Sequence, residues 1–236
     1  MPKTRIKICG ITRPDDAALA AELGADAIGL NFVGGPREIT VIRAFQILQD
    51  LPPITSVGLA DRYGPEPDSS DPLTHHRSLP LKVLQLYHYK YSDPYFKSQW
   101  DRFDYWIVRH VGSREDLREL AGEWALRPGP STQGCIVCTP IEPAALLLDT
   151  ASIDKLGGTG QPFNWHWIAE ARAAGELANL PPLILAGGLT PDNVANAIRI
   201  AQPYAVDVSS GVEVPGKPGI KDPAKLLDFI QAAQSA

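Results

Sequence analysis

Short apolar runs of strand length alternate with segments of helical period along most of the chain. Arg5 to Cys9 reads as a strand, Pro14 to Leu23 as a helix closed by Gly24, Ala27 to Phe32 as a strand and Thr40 to Leu51 as a helix. The last third repeats this rhythm. Leu146 to Asp149, Leu183 to Ala186 and Ala205 to Val208 have strand character, while Trp165 to Leu177, Pro191 to Ala201 and Pro223 to Ala233 have helical character. Ser56 to Ala60, Val83 to Leu86 and Tyr105 to His110 add three strands in the middle, giving eight in all. Eight alternating units predict a single α/β domain over residues 1–236, a (β/α)8 barrel in preference to an open doubly wound sheet.

The parity of the strands supports closure. Residues of one parity face the helices and those of the other face the barrel interior, so a polar residue at a strand's carboxyl end faces the mouth. Lys7 and Cys9 share one face of the first strand, opposite Ile6 and Ile8. Asp149 lies with Leu147, opposite Leu146 and Leu148. On the last strand Asp207 and Ser209 lie opposite Val206 and Val208. Three strands thus aim polar groups at one place.

Composition narrows the classes. The chain of 236 residues is 44% hydrophobic and 21% charged, which is ordinary for a globular protein. Its formal net charge of −5, without a long basic run, argues against a nucleic-acid partner. No apolar run approaches the roughly 20 residues that span a bilayer, so no membrane partner is expected. Three cysteines do not make a secreted disulfide framework, and a cytoplasmic location is the default expectation. The 22 prolines are mostly punctuation: Pro53, Pro80, Pro143, Pro182 and Pro203 precede strands, and Pro14, Pro191 and Pro223 stand in first helical turns. Two stretches, Gly64 to Pro80 and Arg127 to Gly134, read as irregular connections, the first lying between strands three and four.

Candidate chemistry gathers at the strand ends. Cys9 precedes a turn-forming Gly10, and Lys7, two positions back on the same face, would favour its thiolate. Asp149 ends a buried run, where partial desolvation would suit it to general-acid work. Three glycine-bearing loops follow strands six, seven and eight: Gly157-Gly158-Thr159-Gly160, Gly187-Gly188-Leu189-Thr190 and Ser209-Ser210-Gly211. Glycine lets bare backbone N–H groups approach an anion, and Thr190-Pro191-Asp192 reads as a helix start with a cap and a proline at its first position. These loops point to a phosphorylated small-molecule ligand. Cys135-Ile136-Val137-Cys138 lacks a second cysteine pair and is not read as a metal site. His75-His76 reads as a solvated loop pair, and Trp165, His166 and Trp167 as barrel cover.

The runs Lys7-Ile8-Cys9-Gly10-Ile11-Thr12, Gly24-Ala25-Asp26-Ala27-Ile28-Gly29, Leu147-Leu148-Asp149-Thr150, Leu185-Ala186-Gly187-Gly188-Leu189-Thr190-Pro191-Asp192-Asn193 and Asp207-Val208-Ser209-Ser210-Gly211-Val212-Glu213 resemble the phosphoribosylanthranilate isomerase family. The resemblance covers residues 4–50 and 144–236. It implies a TIM barrel, no cofactor or metal, a monomer or homodimer, and the Amadori rearrangement of N-(5′-phosphoribosyl)anthranilate in tryptophan biosynthesis. It also implies Cys9 as general base, Asp149 as general acid and Arg37 as partner of the anthranilate carboxylate. Phosphate would lie near Gly157, Gly158, Gly187, Gly188, Ser209, Ser210 and Gly211, with Lys7, Gln85, Arg109 and Asp207 as further substrate-binding residues.

The chain departs from the family pattern in its middle. Gly35-Pro36-Arg37-Glu38 lacks the usual serine and aromatic residue, Gln85-Leu86-Tyr87-His88 keeps only the glutamine and leucine of Gln-Leu-His-Gly, and Arg109 stands for a lysine. A pentose-phosphate epimerase or indole-glycerol-phosphate synthase would need histidines or lysines not found at the strand ends. A barrel that binds a phosphorylated metabolite without turnover, and a relative acting on the similar Amadori substrate of histidine biosynthesis, are the remaining alternatives.

Overall fold

The structure is a computed structural model and describes residues 3–61, 79–87, 103–125, 142–150 and 164–236. Its strands are β1 (Arg5–Ile8), β2 (Ala27–Asn31), β3 (Thr55–Asp61), β4 (Val83–Tyr87), β5 (Asp104–Val111), β6 (Ala145–Thr150), β7 (Leu183–Leu185) and β8 (Ala205–Val208). Each pairs in parallel with its neighbour, and β8 returns to β1 with Lys7 opposite Asp207 and Ile8 opposite Val208. The sheet is therefore a closed (β/α)8-type barrel, as the alternation predicts.

Two apolar layers follow from the parity of the strands. Ile6, Ile8, Leu146, Leu148, Val206 and Val208 face outward and pack with helix residues such as Ala17, Ile168 and Phe229. Val108, Leu147, Ile184, Ala186 and Ala205 fill the interior, and Ala27, Val57 and Val83 form a second interior group; Trp106 packs against both. This filling makes the barrel a packed core with its chemistry confined to one rim.

The described helices are α1 (Pro14–Glu22), α2 (Val41–Leu48), α3 (Arg114–Ala125), α4 (His166–Ala173), α5 (Val194–Ala201) and α6 (Pro223–Gln234). α1 carries Pro14 in its first turn beside Asp15 and Asp16, where the dipole favours negative charge. Thr40 caps α2 by accepting from the Arg43 N–H at 3.2 Å, and Asp222 caps α6. α3 was not anticipated from sequence. α4 is shorter than expected because residues after Ala173 run on as turns, and α5 begins at Val194 rather than Pro191. The reason is Asn193, whose Oδ1 accepts from the Thr190 N–H (2.8 Å) while its Nδ2 donates to the Gly188 carbonyl (2.9 Å). That bracket holds residues 190–193 as a turn, which corrects the reading of Thr190 as cap and Pro191 as first helical residue.

Glycine makes room where two strands meet the site. A Cβ at Gly29 on β2 would lie 2.8 Å from the Cys9 Sγ and 3.2 Å from the Lys7 Cε. The absence of a side chain there is what lets Lys7 and Cys9 stand inside the barrel.

Candidate active site

One cleft opens at the carboxyl end of the strands, enclosing about 720 Å³ including its mouth. Cys9 lines it just after β1, Asp149 from the end of β6, Tyr87 from the end of β4 and Arg37 from the loop after β2. Gly187 and Gly188 after β7, and Ser209, Ser210 and Gly211 after β8, complete one wall. Lys7 lies beneath, with Asp207 reaching the cleft floor.

The loops are shaped by their own backbone. Asn31 accepts from the Val33 N–H (2.9 Å) and donates to the Gly34 carbonyl (2.8 Å), turning the chain after β2 toward Arg37. Ser210–Val212 forms a single 3-10 turn after β8, and a Cβ on Gly211 would drive into the Leu189 carbonyl oxygen, so the β7 and β8 loops touch backbone to backbone. The Ser209 Oγ is buried and has no hydrogen-bond partner among the described residues, although it lines the cleft.

The Lys7 Nζ donates to the Asp207 Oδ1 at 2.9 Å, and both side chains are almost wholly buried. Burial works against the Lys7 ammonium, but Asp207 and Cys9 outweigh it and its pKa lies above the ordinary lysine value. Burial also pushes the Cys9 thiol up. The Asp207 carboxylate adds to that push, and Lys7 pulls the other way without reversing it. Lys7 does favour the thiolate, as expected, but burial and the Asp207 carboxylate at the same level of β8 outweigh it, so the thiol is not activated overall.

Tyr87 was not singled out from the sequence. Its hydroxyl accepts from the Gln85 Nε2 at 3.1 Å. Burial, together with the negative charges of Cys9, Asp149 and Asp207, holds the phenol well above its ordinary pKa, so it stays protonated. Because the Gln85 donor occupies the oxygen, the phenolic hydrogen is free to turn into the cleft. Gln85, expected to touch substrate, is fully buried one layer below and reaches the cleft through Tyr87.

Arg37 donates from Nε and Nη2 to the two carboxylate oxygens of Glu213, each at 2.8 Å. Glu213 also accepts from the Gly219 N–H (3.0 Å) and the Lys221 Nζ (3.1 Å). Burial raises the Glu213 carboxyl, but the Arg37 hydrogen bonds and the Lys221 charge outweigh it and leave it below its ordinary value. Glu213 appears in the sequence motif without an assigned part, and nothing in the sequence marks Lys221.

Arg109 is a correction. The inward positions of β5 are Trp106 and Val108, so Arg109 faces the helices, where its Nη2 lies 3.3 Å from Glu123 of α3. It does not line the cleft. Gly157, Gly158, the pair Cys135 and Cys138, and His75-His76 lie outside the described residues. Among the described residues no group of three or more His, Cys, Asp or Glu is arranged to hold a metal ion, and no helix is long and apolar enough to cross a membrane.

Fold and site define a (β/α)8 barrel whose carboxyl-end cleft brings a thiol and a carboxyl together from separate strands. A family model described as N-(5'phosphoribosyl)anthranilate (PRA) isomerase matches residues 139–232. The N-(5'-phosphoribosyl)anthranilate isomerase of Pseudomonas aeruginosa (strain LESB58) is 39% identical over 240 residues, covering 100% of this chain and 97% of its own. Among solved structures, phosphoribosyl anthranilate isomerase from Thermotoga maritima superposes with a TM-score of 0.76 at 30% identity, covering 99% of this chain and 100% of that one. A phosphoribosyl anthranilate isomerase in complex with reduced 1-(o-carboxyphenylamino)-1-deoxyribulose 5-phosphate superposes with a TM-score of 0.73 at 29% identity, with the same coverage. The chain belongs to the N-(5'-phosphoribosyl)anthranilate isomerase family.

Proposed function

We propose that this protein isomerises N-(5'-phosphoribosyl)anthranilate to 1-(2-carboxyphenylamino)-1-deoxyribulose 5-phosphate, in the cytoplasm and as a step of tryptophan biosynthesis. The observation that carries the reading is that Cys9 and Asp149, from β1 and β6, line one cleft together with the β7 and β8 loops.

In this reading Asp149 gives its proton to the furanose ring oxygen as the bond from that oxygen to C1′ breaks. The nitrogen lone pair forms the C1′ iminium, which acidifies the C2′ proton. Cys9, as thiolate, takes that proton, and the electrons left behind make the enolamine. Moving the enol proton to C1′ then gives the ketose, so the sum is an isomerisation without external oxidant or reductant. A thiol with a raised pKa is a strong base once ionised but is sparsely ionised near neutrality, which makes the rate rise with pH.

Arg37 takes the anthranilate carboxylate with the guanidinium edge not engaged by Glu213. The sugar phosphate lies against the backbone of Gly187, Gly188, Ser210 and Gly211, where the unpartnered Ser209 hydroxyl adds a donor, and Gly157 and Gly158 belong to the same set. Lys7 and Asp207 hold the floor beneath Cys9. The functional test is rescue of a tryptophan-requiring strain lacking only this isomerase: growth with the wild-type gene supports the reading, and failure of a well-expressed wild-type gene contradicts it.

A further inference from the structure

Among the described residues, Lys221 is a lysine enclosed behind the cleft whose ammonium the proposed chemistry does not use. Its side chain has no exposure, and its Nζ donates to the Glu213 Oε1 at 3.1 Å and to the Ser209 carbonyl at 3.0 Å. Its backbone N–H is fixed in turn by the buried Asp16 carboxylate at 3.1 Å, which Arg13 holds from the other side. Burying an ammonium is costly, and an apolar side chain would tie the loop down at lower cost. Lys225 also reaches Glu213, but at its main-chain carbonyl (2.9 Å) rather than the carboxylate.

The charge count gives Lys221 a role. Arg37 and Glu213 alone form a neutral, doubly bonded pair with little pull on another carboxylate. With Lys221 on the same Glu213 oxygen, the trio carries one net positive charge, and that charge sits against Ser209 at the start of the proposed phosphate loop. We infer that Lys221 is a positioning residue that leaves Arg37 electrostatically open to the substrate carboxylate and links the two anion-binding ends of the cleft. The inference rests on the proposed reading that the cleft takes a substrate with a carboxylate at one end and a phosphate at the other.

Its signature is that substrate affinity follows the net charge of the trio while the proton-transfer steps are left alone. Lys221→Met makes the trio neutral, Glu213→Gln makes it doubly positive, and the double variant restores a single positive charge. For phosphoribosylanthranilate, KM is expected to rise about tenfold in Lys221→Met with kcat within about threefold of wild type, and to return to within about threefold in the double variant. An unchanged KM in Lys221→Met, or a double variant as weak as Lys221→Met, overturns the inference; a merely structural lysine would lower stability in urea unfolding and leave KM where it was in the folded variant. Should Lys221→Met fail to fold by circular dichroism, the double variant is compared with Glu213→Gln: a higher KM in the double variant supports the inference and equal values overturn it. Calorimetric binding of anthranilate to the same proteins must rank in the same order. That readout needs no turnover, so an inactive wild type would contradict the functional reading while the ranking still decides on Lys221.

Discussion

The Lys7 ammonium and the Asp207 carboxylate, 200 positions apart in sequence, meet at 2.9 Å directly beneath Cys9. Burial and the Asp207 carboxylate push the Cys9 thiol up by more than Lys7 pulls it down. The base is protonated at neutral pH and active when ionised, so kcat/KM is expected to rise with pH, with its midpoint above the ordinary thiol range. A pH–rate profile flat across that range would remove Cys9 from the role of base.

Asp207→Asn removes one of the charges that raise Cys9 and frees Lys7 to lower it. Both effects have the same sign: the alkaline limb moves to lower pH, and iodoacetamide alkylates Cys9 faster at neutral pH than in wild type. The same change leaves a buried ammonium unpaired and is expected to lower stability by about 3–5 kcal/mol in chemical denaturation. Slower alkylation in a variant shown to be folded would contradict the electrostatic account.

Gly29→Ala places a methyl group 2.8 Å from the Cys9 Sγ and 3.2 Å from the Lys7 Cε. Overpacking of this kind costs about 1–3 kcal/mol of stability. The larger effect is expected on turnover, because the displaced atom is the base itself, with kcat down by about tenfold or more. Wild-type kcat in this variant would show that the Cys9 position tolerates displacement.

Tyr87→Phe deletes the hydroxyl that accepts from Gln85, a glutamine whose Oε1 already has no partner among the described residues. Leaving a second buried polar group unmatched should cost about 1–3 kcal/mol. Combining it with Gln85→Met should recover most of that stability, measured by urea unfolding. A double variant no more stable than Tyr87→Phe would mean that the pair is not coupled.

Much of this architecture is legible in the sequence because it depends on local period. The alternation Ile6/Lys7/Ile8/Cys9 and the run Leu146 to Asp149 each assign an inward and an outward face, and the barrel and its convergent thiol and carboxyl follow. What the sequence conceals depends on pairing across the chain. Lys7 does pull on the Cys9 thiol, but the burial and the Asp207 carboxylate that outweigh it arise only when β8 closes against β1. Arg37 looks like a free guanidinium until Glu213 and Lys221 close on it. Arg109 failed by a single step of register, since neighbouring residues on a strand face opposite sides of the sheet. Helix α3 was missed because its apolar positions, Leu117, Leu120 and Trp124, stand among charged residues and an internal Gly122, so burial of one narrow face decides its form.

That Cys9 and Asp149 act as base and acid on one phosphorylated substrate is checked by following conversion of N-(5'-phosphoribosyl)anthranilate by purified wild-type, Cys9→Ser and Asp149→Asn proteins. Turnover by the wild type is expected, with losses of about 100-fold or more in kcat for each variant and the fold preserved. Full activity in folded Asp149→Asn or Cys9→Ser would contradict it.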